Sequence, residues 1–363
     1  MRKFLIPGIL LVVLAASCKE VTTTPRPTIP LVYSILADTT GQARLVAMAG
    51  DRGADGSIAI IGEPSDAITL ARRFQLSDRV DNIDGLQKRD SLPDFAGERF
   101  DVILDALYSP YGETGLDSLK ESAVSNALFA WDSTCFRSNT DTRPLLRKQR
   151  SKLLIYTSAL QAAYGLFDVD TLQQLSGGKS RLLSPAPLML RKALSSGAHN
   201  LAVWTDSVTA ATGAWEAVFK ELDVPDATLA VLVPEDALDV RNQYRDVLSQ
   251  YRSSGKSLDA LLLDSYTDNL DLLENETRIL RTAGTEEARV FDKLLSPSFC
   301  FVDPSSVIVE ATYRLLREEH WFTHRIARPE LTFYESDLSV NGDPILLEAS
   351  EAYIQRAYVS DLH

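Results

Sequence analysis

The chain has 363 residues, 50 acidic side chains against 37 basic ones, a formal net charge of −13 and a hydrophobic share of 45%. That share is too high for a disordered chain, and the length admits two domains of ordinary size. The acidic balance and the lack of any Lys/Arg run exclude a phosphate-backbone binder, so nucleic acid is not an expected partner.

At the start, Arg2 and Lys3 precede an apolar stretch at 4–14, short of the roughly 20 residues that span a bilayer as a helix. Ala16 and Ser17 then lead into Cys18. This arrangement resembles the signal peptide and lipobox of bacterial lipoproteins, with Ala15 where Leu is commoner. The resemblance implies removal of residues 1–17, acylation of Cys18 and a stable lipid anchor. Residues 18–30 are rich in Thr and Pro and form a spacer. Lys19 after the anchor, in place of Asp, resembles lipoproteins released to the outer membrane. The expectation is a cell-envelope protein at the outer membrane. Its partners are the membrane through Cys18 and a transport or envelope complex.

From residue 31 onward the predicted elements alternate. In chain order they are strands at 31–36 and 57–61, a helix at 66–74, a strand at 100–104, and a polar stretch at 109–151 without clear period. Strands at 152–157 and 201–205 follow, then a helix at 210–222, a strand at 228–233, a helix at 238–252, strands at 258–264 and 298–302, and a helix at 305–317. Near-continuous apolar runs suit strands buried on both faces. Their alternation with helices implies right-handed βαβ units, hence an α/β fold of parallel sheets flanked by helices. Eight strands divide better into two lobes than one: lobe one at 31–195, lobe two at 196–296, and a return to lobe one at 297–363. Turn signals at Ser195-Ser196-Gly197 and Ser296-Pro297 mark the crossings.

Most motifs have a plain structural reading. Ser176-Gly177-Gly178-Lys179-Ser180 lacks the earlier glycine of a phosphate loop, where Gln173 stands, and reads as a turn. His320 and His324 are four apart, but no Glu follows His320, so no metal site is expected. There is no Gly-x-Ser-x-Gly elbow. Cys135 and Cys300 are either bridged or two free thiols beside aromatic residues. No cofactor is expected. The polar strand ends stand out instead: Tyr156-Thr157-Ser158, Thr205-Asp206-Ser207 and Asp264-Ser265-Tyr266-Thr267. Each reads either as helix caps or as part of a cleft in which hydroxyls and carboxylates meet a small polar ligand.

The order of these segments resembles the aspartate/glutamate racemase-like superfamily over residues 150–320. Tyr156-Thr157-Ser158-Ala159 stands where that family has Cys-Asn-Thr-Ala, and Leu263-Asp264-Ser265-Tyr266-Thr267 where it has Leu-Gly-Cys-Thr-His. The resemblance implies two lobes with a cleft between them. It also implies that two-cysteine racemisation is lost, since Tyr156 and Ser265 occupy the thiol positions. Type I periplasmic binding proteins are similar in architecture. The leading expectation is thus a non-catalytic, lipid-anchored protein without catalytic residues. It binds a small polar or anionic solute through Tyr156, Thr157, Ser158, Thr205, Asp206, Ser265 and Tyr266. The alternatives are a racemase-like isomerase or lyase using non-cysteine groups such as Asp206 or Asp264, and a structural envelope lipoprotein with a vestigial cleft.

Overall fold

The computed structural model describes residues 28–359, except 39–40, 51–52, 82–85, 237, 267–268, 324 and 326. Cys18, the segment before it and most of the spacer, as well as His324, lie outside the described residues. In chain order the elements are α1 (Pro30–Ala37), α2 (Gln42–Ala47), β1 (Ser57–Gly62), α3 (Pro64–Leu76), β2 (Arg99–Leu104), α4 (Leu116–Trp131), β3 (Thr134–Cys135), β4 (Leu146–Arg147) and β5 (Ser151–Tyr156). There follow α5 (Leu166–Ser176), β6 (Arg181–Leu183), α6 (Pro185–Ser195), β7 (Asn200–Trp204), α7 (Ser207–Thr212), α8 (Ala214–Glu221), β8 (Thr228–Leu232), α9 (Val240–Tyr251) and β9 (Leu258–Leu263). The chain ends with α10 (Leu270–Thr282), α11 (Glu286–Leu294), β10 (Leu295–Val302), α12 (Pro304–Glu318), β11 (Glu330–Leu338), β12 (Pro344–Glu348) and α13 (Glu351–Val359).

Local chemistry accounts for these boundaries. Pro64, Pro185 and Pro304 open α3, α6 and α12 at the position where a missing N–H costs nothing. Asp206, Asp239 and Asp303 cap α7, α9 and α12 through paired bonds to backbone N–H groups. β1 and β5 are buried along their whole length. The run at 31–36, expected as a strand, is helical. Pro30 starts α1, and Val32 and Ile35, three apart, are its buried face.

Two sheets form the two lobes. The first runs β12-β11-β2-β1-β5-β6. It is parallel except for the β11–β12 pair, which is antiparallel, so the expectation of a wholly parallel sheet is corrected at that edge. The second, β10-β9-β7-β8, is parallel throughout. Because β10 pairs with β9, the chain returns to lobe one after Val302, through α12, rather than at residue 297.

Both lobes are wound alike. From β1 the chain moves to β2 on one side and then to β5 on the other; from β7 it moves to β8 and then to β9. Where the winding direction reverses, a crevice opens at the carboxyl ends of the strands. The two crevices therefore lie after β1 and β5 in lobe one, and after β7 and β9 in lobe two. An apolar cluster runs across both lobes, joining Tyr111, Leu119, Leu160 and Ala163 to Met189, Leu201, Val203 and Trp215.

The opposite end of the first sheet is tied by charge. Lys152 Nζ, with no exposed surface, donates to Glu98 Oε2 at 2.7 Å and to the Trp321 carbonyl at 2.7 Å, while Thr323 N–H donates to Glu98 Oε1. Burial pushes Glu98 up and Lys152 down, against their mutual attraction. Removing one partner strands the other. Lys152→Met should cost about 3–5 kcal/mol in urea denaturation, and adding Glu98→Leu should restore most of that loss.

Candidate functional site

Carboxyl groups gather where the two crevices meet. In lobe one, Glu63 follows β1 and Asp105 follows β2; in lobe two, Asp206 follows β7 and Asp264 follows β9. Glu63 Oε1 accepts hydrogen bonds from Ser109 Oγ at 3.0 Å and Tyr111 N–H at 3.1 Å. Burial drives its carboxyl above the ordinary range, against those bonds, and the charges of Asp206 and Asp105 add to the rise. Across the seam, Asp264 Oδ2 accepts from Thr205 Oγ1 at 2.6 Å and Trp215 Nε1 at 2.7 Å. Burial pushes the Asp264 carboxyl up to about 6, with the charge of Asp206 acting in the same direction. Asp206 thus bears on a carboxyl in each lobe. The charges that weigh on Glu63 and Asp264 are acidic: Asp206 and Asp105 on the first, Asp206 on the second.

The lobes touch at this point. Tyr266 Oη donates to the Thr157 carbonyl at 2.9 Å. A Cβ on Gly112 would fall 1.6 Å from Cγ1 of Val208 on α7, so only glycine permits that approach. Gly62 plays the same part inside lobe one: a Cβ there would lie 1.8 Å from Thr157 Oγ1. That hydroxyl is buried and has no hydrogen-bond partner among the described residues. An orphaned buried hydroxyl costs about 1–3 kcal/mol.

The expected site residues separate into those that meet here and those that do not. Thr157, Thr205 and Tyr266 lie at the junction, each buried. Ser158 is partly buried beside them, and its Oγ accepts from Leu160 N–H. Asp206 is exposed and caps α7 through Val208 and Thr209. Tyr156 points away: its hydroxyl donates to the Ala123 carbonyl at 2.7 Å inside the lobe-one core, so its assignment to the ligand site is corrected. Ser265 is exposed. Glu63 and Asp105 are the residues that the sequence reading misses. The only sign of Glu63 is a charged residue between a strand and the Pro64 that opens a helix.

Neither cysteine can serve in place of the missing thiols. Cys135 and Cys300 are free rather than bridged, one beside the first sheet and one in the second. Burial pushes the Cys135 thiol up to about 11 and raises Cys300 as well. Ser176 ends α5 and Gly177, in the left-handed conformation, caps it, so the segment read as a turn begins at the end of a helix. Among the described residues no group of three or more His, Cys, Asp or Glu side chains could hold a metal ion.

A groove of about 630 Å3 leads to Glu63 from outside, between Ser65 and Asp66 of α3, Ser109, and Tyr353 and Arg356 of α13. No protein-family model and no curated protein sequence matches the chain. Solved structures do. Glutamate racemase from Francisella tularensis subsp. tularensis SCHU S4, in complex with D-glutamate, is 14% identical with a TM-score of 0.53, covering 84% of this chain and 94% of its own. Glutamate racemase isoform RacE1 from Bacillus anthracis is 14% identical with a TM-score of 0.52, covering 80% of this chain and 91% of its own. The fold is that of the glutamate racemases.

This likeness corrects the leading expectation from the sequence. The two chains sharing the racemase fold are enzymes and not solute-binding proteins, so a non-catalytic receptor, with its preference for binding over catalysis, is set aside. The lipid-anchored, outer-membrane localisation falls with it. It rests on the signal-peptide and lipobox pattern that ends at Cys18, outside the described residues, whereas the solved structures that share this fold are glutamate racemases. Among the described residues no helix is long and apolar enough to cross a membrane.

The Asp264 carboxyl gives this site a stability signature. Its folded value of about 6 exceeds the ordinary 3.8, so the folded chain holds this proton more tightly than the unfolded chain. The contribution is complete below about pH 4 and is lost as pH rises through about 6, a change of up to about 3 kcal/mol. Asp264→Asn should match the parent chain near pH 4 and exceed it by about 1–3 kcal/mol above pH 7, as read by urea denaturation at both pH values.

Proposed function

We propose that the protein is an enzyme of the isomerase or lyase type. It moves a proton at a carbon atom of a small polar substrate between carboxyl groups supplied by the two lobes. The observation that carries this reading is a carboxyl from each lobe, Glu63 and Asp264, acted on by the one charge of Asp206. Both are held toward their protonated forms, and both lie within the field of Asp206. A carboxyl that titrates near neutrality is present in both forms at working pH, which general acid–base catalysis requires.

The chemistry follows from the placement. One ionised carboxyl takes a proton from the substrate carbon, and the bonding pair moves into an adjacent carbonyl. The neutral carboxyl of the other lobe then returns a proton to that carbon, or protonates a leaving group. A carboxylate is a weaker base than a thiolate, so the substrate carbon must be more acidic than that of a simple amino acid. Thr157 Oγ1, Ser158 and Thr205 supply hydroxyls for orientation, and Tyr266 closes the site over Thr157. The acidic charges of Asp206 and Asp105 on Glu63, and of Asp206 on Asp264, disfavour a dianion such as glutamate. Arg356 on the outer wall of the groove can offset one negative charge.

Incubation in D2O with a panel of keto acids, hydroxy acids, amino acids and reducing sugars tests this reading. At least one compound should gain a carbon-bound deuterium, at a rate reduced roughly 100-fold or more by Asp264→Asn or Glu63→Gln. No incorporation into any member at high protein concentration, or incorporation unchanged in both variants, would overturn it.

A further inference from the structure

Glu63 is held by a loop that is itself held from behind. Its two donors, Ser109 Oγ and Tyr111 N–H, converge on Oε1. Both sit in the polar stretch after β2, and what fixes that stretch is Asp105. This side chain has no solvent exposure. Oδ2 accepts from Tyr111 Oη at 2.9 Å and from Ser122 Oγ on α4, and Oδ1 accepts from Ser336 Oγ on β11 at 2.9 Å. Ser336 Oγ in turn accepts from Leu107 N–H at 3.0 Å, clamping the loop a second time. Asn126 Nδ2 and Gln161 Nε2 reach Ser122 Oγ at 3.3 and 3.4 Å and complete a buried polar layer. Three hydroxyls donating to one carboxyl favour its ionised form, against the burial that raises it.

Tyr111 joins the two layers. Its ring belongs to the apolar seam between the lobes, its hydroxyl is bound to Asp105, and its N–H is bound to Glu63. We propose that Asp105 is a positioning residue for the Glu63 carboxyl. By fixing the Tyr111 ring and the loop around it, Asp105 directs two donors onto Oε1, so that Oε2 is the oxygen presented to substrate. Asp105 touches no substrate itself. This rests on the reading of Glu63 as an acid–base group, and it identifies a second layer on which that group depends.

Tyr111→Phe deletes the single hydroxyl that links the layers, and Asp105→Asn keeps an acceptor for Tyr111 while removing the charge. The Glu63 titration is followed by NMR of protein carrying 13C-labelled glutamate side chains, assigned with Glu63→Gln, and needs no substrate. Tyr111→Phe should raise the Glu63 midpoint by roughly half a pH unit or more, because the bonds that favour its ionised form loosen. Asp105→Asn should lower it, because a neighbouring negative charge is gone. With a substrate found in the D2O panel, Tyr111→Phe should reduce kcat roughly 10-fold with KM little changed. If both variants fold and the Glu63 midpoint stays where it was in each, Asp105 is only structural and the proposal fails. If Asp105→Asn does not fold, the Tyr111→Phe midpoint alone decides it. Shifted midpoints without deuterium exchange would leave the positioning intact and overturn only the proposed chemistry.

Discussion

The apolar seam between the lobes governs what the carboxyl groups beside it can do. Tyr111, Leu119 and Leu160 pack against Met189, Leu201 and Trp215, and a surface of that kind cannot be wetted without losing about 25 cal/mol per Å2 of apolar area. Closure excludes water from the strand ends, and desolvation is the largest influence on Glu63, Asp105 and Asp264 alike. Without it these groups would be ordinary surface acids, ionised throughout the neutral range. Two aromatic residues connect the packing to the chemistry. Trp215 and Tyr111 are both seam residues, and each donates a hydrogen bond to a carboxyl of its own lobe. Packing and acid–base tuning are therefore one feature of the structure.

The repeated winding explains why these groups lie at strand ends in both lobes. Each lobe reverses direction once, and each reversal leaves its strand ends free of crossing connections. Helix starts then fill the space: Glu63 precedes α3, Asp206 caps α7, and Asp264 follows β9. A residue that serves as a cap is a poor candidate for chemistry, because its oxygens are already engaged. Asp206 has two backbone N–H groups and the Thr209 hydroxyl on its carboxylate. Its part is to supply a field that reaches Glu63 and Asp264. In the proposed reaction those two carry the proton transfers.

Much of this architecture is legible in the sequence because both sheets use β-branched and aliphatic runs of strand length, broken by Pro and Asp at helix starts. The order of the segments over 150–320 suffices to indicate the racemase-like fold. Where the reading fails, the causes are specific. A short apolar run such as 31–36 has no period long enough to separate strand from helix, and only Pro30 hints at the helix. β5 is buried on both faces, so nothing in its composition tells which way Tyr156 points, and it turns into the core. Asp105 and Tyr111 lie in an aperiodic polar stretch, and their contacts with Ser122 and Ser336 are tertiary. No local pattern could reveal them.

Thiols and carboxyls respond to burial in ways that suit different chemistry. A thiol can be brought near neutrality by a nearby positive charge, whereas a carboxyl must be moved the other way, by burial and like charge. Tyr156 is a core tyrosine and Ser265 is exposed, and among the described residues the thiols of Cys135 and Cys300 are pushed further from use. Meanwhile the strand ends bring together four acids, Glu63, Asp105, Asp206 and Asp264. A site built for holding an anion would carry the opposite charge. Such an accumulation destabilises the fold at neutral pH and is sustained only by the seam and the hydroxyl donors around it. Groups that weaken the fold while converging on one crevice are better explained by proton transfer than by packing, since packing alone would favour apolar residues at the same positions.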